Sequence, residues 1–339
     1  MTGSVGTGEV GIGGDVELLQ DLAVARAELE RQVGRRIIGQ REIVEKLLVA
    51  LLAGGHVLLV GVPGLAKTTL IATLAETLRL KFSRIQFTPD LMPSDITGTE
   101  VLEEDAESGR RVFRFVHGPV FANVILADEI NRTPPKTQAA LLQAMQELSV
   151  TVGNDTFQLE APFFVLATQN PIEHEGTYPL PEAQLDRFML ELRITYPTFD
   201  EEREVAAITT SGESAVIEPV IGGERLLQFQ GLVRRVPAPP SLVDYAVRLA
   251  RSTRPDDTGS PGFIREMVAW GAGPRASQYL VLGSKARAAL DGRPAPSLDD
   301  VRAVAPDVLR HRIVPGFEAE AAGRTPDDLV EELLATVRP

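Results

Sequence analysis

Two kinds of apolar pattern alternate along the chain. HVLLV (56–60) and VILAD (124–128) are nearly unbroken apolar runs, RIQFT (84–88) and FFVLAT (163–168) read as further strands of the same kind, and FMLELRITY (188–196) contains the last. Runs without a regular polar position belong to strands buried on both faces. Between them, apolar residues recur three and four apart, over 16–33, in KTTLIATLAETLRL (67–80) and in PPKTQAALLQAMQEL (134–148). That spacing predicts helices. RRIIGQREIVEKLLVALLAGG reads as a turn around Gly39 and a helix ended by Gly54 and Gly55. Strands alternating with helices predict an α/β fold with a parallel sheet covered by helices on both faces.

TEVLEEDAESGRRVFRFV (99–116) and SVTVGNDTFQL (149–159) break the alternation and read as two projecting hairpins. Beyond residue 198 the buried-strand runs stop, apart from the weakly strand-like VIEPVIG (216–222), and PAPP (237–240) marks a boundary. The expected division is a glycine-rich flexible N-terminus with a leading helix (1–34), an α/β core with two hairpin insertions (35–197), a linker (198–235) and a smaller all-α domain (236–339).

The 339 residues are 44% hydrophobic and 24% charged, as in a soluble globular protein. With 34 Lys and Arg against 47 Asp and Glu, the net charge is −13. No long basic run offsets it, so nucleic acid is not the expected partner. The absence of cysteine excludes disulfides, thiol catalysis and Cys-ligated zinc, and is compatible with the expected cytoplasmic location. The leading MTGSVGTGEVGIGGD lacks the basic start and apolar core of a signal peptide. LLVALLAGGHVLLVGV (47–62) is too short for a membrane span and is broken by Gly54, Gly55 and His56.

The chemistry starts at GVPGLAKTT (61–69), directly after the first buried strand. Phosphate-binding loops follow G-x-x-x-x-G-K-[ST]. Gly61, Lys67 and Thr68 fit, Ala66 replaces the second glycine, and an extra Gly64 lies inside the loop. The backbone of Gly61, Val62, Pro63, Gly64, Leu65 and Ala66, continuing through Lys67, Thr68 and Thr69, is the candidate cradle for phosphate. Lys67 suits the outer phosphates and the Thr68 hydroxyl suits Mg²⁺. VILADE ends a buried strand in two acids, Asp128 and Glu129. Asp128 is a candidate Mg²⁺ holder, and Glu129 a base that polarises the attacking water. Asn170, after ATQ, ends the next strand and can hold that water or sense the γ-phosphate. Lys67, Asp128, Glu129 and Asn170 all follow carboxyl ends of parallel strands, where such sheets bind ligands.

From Arg36 to about Pro315 the chain resembles the AAA+ ATPases, and within them the MoxR family. IIGQ, GVPGLAKTT, FTPDLMPSDITG, HGPVFANVILADEINRTPPKTQAALLQAMQE, ATQNPIEHEGTYPLPEAQLDRF and WGAGPRASQYL carry the likeness. It implies a P-loop AAA+ core with an all-α C-terminal lid, ATP and Mg²⁺ as ligands, and a ring, with six subunits expected. Ile38 and Gly39 resemble the adenine-contacting segment, Asn170 sensor 1 and Arg275 sensor 2. Arg187 resembles the arginine finger offered to a neighbouring subunit, with Arg132 an alternative. Gly273 stands where a serine is expected. The hairpins resemble the helix-2 insertion and the pre-sensor-1 hairpin. The implied role is chaperone-like remodelling or activation of protein complexes, with von Willebrand factor A domain proteins as partners.

Rival readings are a small-molecule kinase, a magnesium-chelatase-like motor subunit, a non-hydrolysing scaffold, and a nucleic-acid motor, which Arg110, Arg111 and Arg114 keep open. Glu173, His174 and Glu175 are consecutive and poorly spaced for a metal. His56, His117 and His311 are isolated, Trp270 is expected in the lid core, and the acidic EVLEEDAE reads as a solvated turn.

Overall fold

The computed structural model describes residues 12–62, 64–104, 110–171, 176–210 and 215–338. Its first half contains α1 (Ile12–Gly34), α2 (Arg41–Ala53), β1 (His56–Val60), α3 (Lys67–Thr77), β2 (Phe82–Gln86), α4 (Pro93–Thr97), β3 (Gly98–Glu104), β4 (Arg111–His117), β5 (Val124–Asp128), α5 (Pro135–Glu147), β6 (Ser149–Val152), β7 (Asp155–Gln158), β8 (Phe164–Gln169), α6 (Glu182–Leu185) and β9 (Phe188–Arg193). The second half contains α7 (Phe199–Thr210), α8 (Gly223–Arg235), α9 (Pro240–Arg251), α10 (Gly262–Met267), β10 (Val268–Trp270), α11 (Pro274–Leu290), α12 (Leu298–Leu309), β11 (Val314–Pro315), α13 (Phe317–Ala321) and α14 (Pro326–Thr336).

β2, β5, β8, β1 and β9 form one five-stranded parallel sheet in that spatial order. Alternate residues of each strand feed opposite faces. Val57 and Leu59 join α1, α2 and α3 in one buried cluster. Leu58, Ile125, Val165 and Phe188 join α5 in the other. Both faces are therefore dry, which explains the unbroken apolar runs. α2 stops where Gly54 turns left-handed (φ 68°) and its N–H returns to the helix's last carbonyls.

The hairpins are β3–β4 and β6–β7. Phe115 of the first stacks on Phe157 of the second with ring centroids 4.2 Å apart, so the two insertions brace each other. Residues 105–109, between β3 and β4 in the chain, lie outside the described residues, as do Pro63, residues 1–11 and Glu173, His174 and Glu175.

The C-terminal region is helical, with Tyr245, Leu249, Leu280, Val301 and Leu329 at its centre. Arg312 fastens it to the sheet. Only 5% exposed, this guanidinium donates to Asp186 Oδ1 (2.8 Å), Asp186 O (3.0 Å) and Phe188 O (2.6 Å). Lys46 of α2 pairs with buried Asp307 of α12 at 2.8 Å.

Three expectations change. Residues 198–235, read as a linker, carry the helices α7 and α8. VIEPVIG forms no strand; Val220 instead donates its N–H to Thr77 O at 2.7 Å, pinning an extended segment to the end of α3. Within the helical lid, β10 also pairs antiparallel with β11. Trp270, expected in the lid core, is 69% exposed on β10. No helix among the described residues is long and apolar enough to cross a membrane.

Gly55 joins α2 to β1 with almost no room. A Cβ there would lie 2.5 Å from Met189 Sδ and 2.6 Å from Met189 Cβ. Gly55→Ala is expected to lose about 1–3 kcal/mol of stability through overpacking, read as a lower urea midpoint at unchanged slope.

Candidate functional site

A cleft of about 400 Å³ opens at the carboxyl end of the sheet. Gly64, Leu65, Ala66, Lys67, Thr68, Thr69, Asp128, Glu129 and Asn170 line it, together with Arg84 and Gln86. The loop after β1 and the acids after β5 thus face one another, as the strand order requires.

The loop's backbone explains its residue types. Gly64 has φ +86°, and a Cβ on it would meet nothing within 4 Å. That side of the loop is open cleft. Ala66 is left-handed (φ 54°) as it caps α3, so the position that usually holds glycine keeps a glycine-like conformation with a methyl group. Gly61 serves packing: its N–H donates to Gln169 O (3.2 Å), and a Cβ would lie 3.0 Å from Ile194 O. Lys67 opens α3, and its ammonium donates to Gly61 O at 2.6 Å. Burial pushes its pKa below the ordinary lysine value, while Asp128 and Glu129 pull it back up.

The acids are held from several sides. The buried Thr168 hydroxyl donates to Asp128 Oδ1 (2.7 Å) and accepts the Glu129 N–H (2.8 Å). Arg84 donates to Asp128 Oδ2 through Nε (3.1 Å) and Nη2 (2.6 Å). Gln86 Nε2 donates to Glu129 Oε2 (2.9 Å), and Arg132 Nη1 lies 3.2 Å from the same oxygen. Glu129 itself is left-handed (φ 58°), a conformation that costs a non-glycine residue energy and is concentrated at functional sites.

Arg84, Gln86 and Thr168 were not singled out from the sequence. Their only signal was polarity inside strands: Arg84 and Gln86 flank buried Ile85, and Thr168 ends an apolar run.

The other expected residues lie outside this lining. Ile38 and Gly39 precede Gln40, whose amide donates to Leu65 O at 3.3 Å, so their segment runs beside the loop. Gly39 is left-handed (φ +67°), which favours glycine, and a Cβ on it would meet the movable end of the Glu201 side chain. Val62 packs against the core below the cleft. Arg187 donates to Leu142 O of α5 at 2.7 Å. Arg275, at the start of α11, pairs with Asp186 Oδ2 at 3.1 Å. His56 is structural: Nδ1 accepts from Val165 N (3.1 Å), Nε2 donates to Met145 O (3.3 Å), and burial pushes its pKa down to about 4. His311 is likewise buried, and His117 stacks on Phe121. No group of acids and histidines with metal-holding geometry occurs among the described residues.

The donor set fits a nucleoside triphosphate with Mg²⁺. Loop amides, a helix N-terminus and an ammonium suit phosphates, and hydroxyl and carboxylate oxygens suit a hard cation.

A parallel sheet with this loop after one strand, paired acids after another and a helical C-terminal region defines a P-loop ATPase of AAA+ architecture. The profile of the "ATPase family associated with various cellular activities (AAA)" matches residues 56–190, and that of the "AAA lid domain" matches 263–333. Chaperone MoxR1 of Mycobacterium tuberculosis is 44% identical over 322 residues, covering 94% of this chain and 84% of that protein. Protein MoxR of Methylorubrum extorquens is 32% identical over 342 residues, covering 94% and 96%. The crystal structure of an inferred ATPase from Cytophaga hutchinsonii superposes with a TM-score of 0.88 at 41% identity, over 95% of this chain and 97% of that one. The chain belongs to the MoxR family of AAA+ ATPases.

Thr168→Val keeps the side chain's shape but leaves the Glu129 N–H without its acceptor and Asp128 Oδ1 without its donor. The expected cost is about 1–3 kcal/mol in denaturant unfolding, accompanied by lower turnover.

Proposed function

We propose that this chain hydrolyses ATP with Mg²⁺ in a ring of like subunits, and uses the cycle to remodel or activate a protein partner. The observation that carries this reading is the meeting of Lys67, Thr68, Asp128, Glu129 and Asn170 around one cleft. The relatives named MoxR and Chaperone MoxR1 support the chaperone-like part.

The loop amides of 64–69 and the Lys67 ammonium bind the phosphates. Thr68 and Asp128 would be the oxygen donors for Mg²⁺, which when bound would offset the charge of the phosphates. Glu129 takes the proton of the attacking water, and Asn170 holds that water in place. Gln86 and Arg132, both on Glu129 Oε2, fix the carboxylate's direction. Ile38 and Gly39 flank the base.

Arg187 supplies positive charge to the γ-phosphate of the adjacent subunit; Arg132 is the other arginine for that post, but it already pairs with Glu129 in its own chain. Arg275 reports the nucleotide's state to the lid, and its bond to Asp186 places it beside Arg187. Arginine suits both posts because it stays charged and offers several donors. Hydrolysis then shifts the helical region against the core. The two stacked hairpins would engage the client, for which proteins with von Willebrand factor A domains are the proposed class.

Glu129→Gln is expected to bind ATP while losing about 10²–10⁴-fold in turnover. Arg187→Ala is expected to lose about 10³–10⁵-fold if the arginine acts between subunits. Mixing these two inactive proteins then restores activity, because one contributes an intact cleft and the other an intact arginine. A mixture as inactive as its components contradicts catalysis shared between subunits through Arg187.

A further inference from the structure

β2 is the outer strand of the sheet, and its side chains divide. Ile85 enters the core, whereas Arg84 and Gln86 line the cleft. Arg84 places both Nε and Nη2 on one oxygen of Asp128, while the other oxygen takes the Thr168 hydroxyl. Nη2 also donates to Gln86 Oε1 at 2.5 Å, which fixes the guanidinium plane. The pairing register seats Gln86 opposite Asp128 and Arg84 opposite Leu126. The arginine thus reaches forward along the sheet edge to the acid at the end of the neighbouring strand.

The charges around the two acids are unusual for a metal site. Asp128 and Glu129 lie among Arg84, Arg132 and the Lys67 ammonium, two anions among three cations. A free divalent cation approaching Asp128 therefore meets no net negative charge. It also meets a guanidinium already seated on one of the oxygens it needs. A bound triphosphate reverses that balance, because it brings several negative charges to the Lys67 side of the cleft.

We propose that Arg84 makes metal entry conditional on nucleotide: it neutralises Asp128, so that a divalent cation binds poorly by itself and enters with the phosphates. The proposal rests on Asp128 as the metal-holding acid. Arg84 is thus a positioning and charge-balancing residue acting through Asp128. The consequence is economy of binding: the site discriminates the metal–nucleotide pair from the free metal without a dedicated metal cage.

Mn²⁺ titration followed by electron paramagnetic resonance tests this on the full chain without nucleotide. Wild type is expected to bind weakly through Asp128. Arg84→Met is expected to bind Mn²⁺ at least about tenfold more tightly, a modest effect for a half-exposed, partly screened charge. Arg84→Lys keeps the charge and stays within about threefold of wild type. Adding Asp128→Asn to Arg84→Met abolishes the gain. Arg84→Gln carries the same expectation should Arg84→Met fail to fold. Unchanged or weaker Mn²⁺ binding on loss of the charge overturns the proposal, as does a gain that survives Asp128→Asn. The underlying site reading is checked separately in wild type with ADP, where Mn²⁺ binding should fall on Asp128→Asn whatever Arg84 does.

Discussion

Asp128 ends a strand buried along its whole length, and its carboxylate is met by the Thr168 hydroxyl and the Arg84 guanidinium. Ending an apolar strand in a charge is tolerable only where polar partners and solvent receive it. The sheet provides both. β8 brings Thr168 alongside, β2 brings Arg84 and Gln86, and β1 delivers the phosphate loop on the far side of β8. The cleft is thus a consequence of strand order. Parallel strands placed side by side put their carboxyl ends, with all the polar residues that follow them, at one edge.

The helical region is joined to this edge through buried charge. Asp186 accepts from Arg312, which is almost wholly enclosed, and from Arg275, which is part-exposed. One carboxylate thus receives a permanent pin and a looser contact. Burial makes the first costly to break, since an unpaired buried guanidinium has no compensation. The second is free to exchange partners at much lower cost. Arg187, the next residue, is tied to α5 by its own bond to Leu142 O. The lid, the start of β9 and α5 therefore meet at two consecutive residues.

Much of this was legible in the sequence, and what was missed has several physical causes. β1 and β5 coincide with HVLLV and VILAD because strands buried on both faces are written as unbroken apolar runs. The cleft-lining residues of the loop and the acids were legible because their chemistry is local. Arg84 was not, because its partner Asp128 is 44 residues away and only strand pairing joins them. Asp186 was likewise passed over, its partner Arg275 lying 89 residues on. α8 buries Leu226, Phe229, Leu232 and Val233, but it starts at a glycine after an extended segment and so reads as part of a linker. α7 buries none of its residues, so no periodic core face announced it. Trp270 is expected in a core because a large aromatic residue is usually buried, whereas on β10 only Val268 is buried and Trp270 is exposed.

The central claim is that the loop after β1 grips a triphosphate through its amides and the Lys67 ammonium. Equilibrium binding of ATP with Mg²⁺, measured by calorimetry on wild type and Lys67→Met, tests it most directly. The account predicts saturable one-to-one binding to wild type and at least about a hundredfold weaker binding once the ammonium is removed, in keeping with loss of a charge-assisted contact in a partly buried cleft. Equal affinity in the two proteins, or no binding of ATP to wild type, contradicts it.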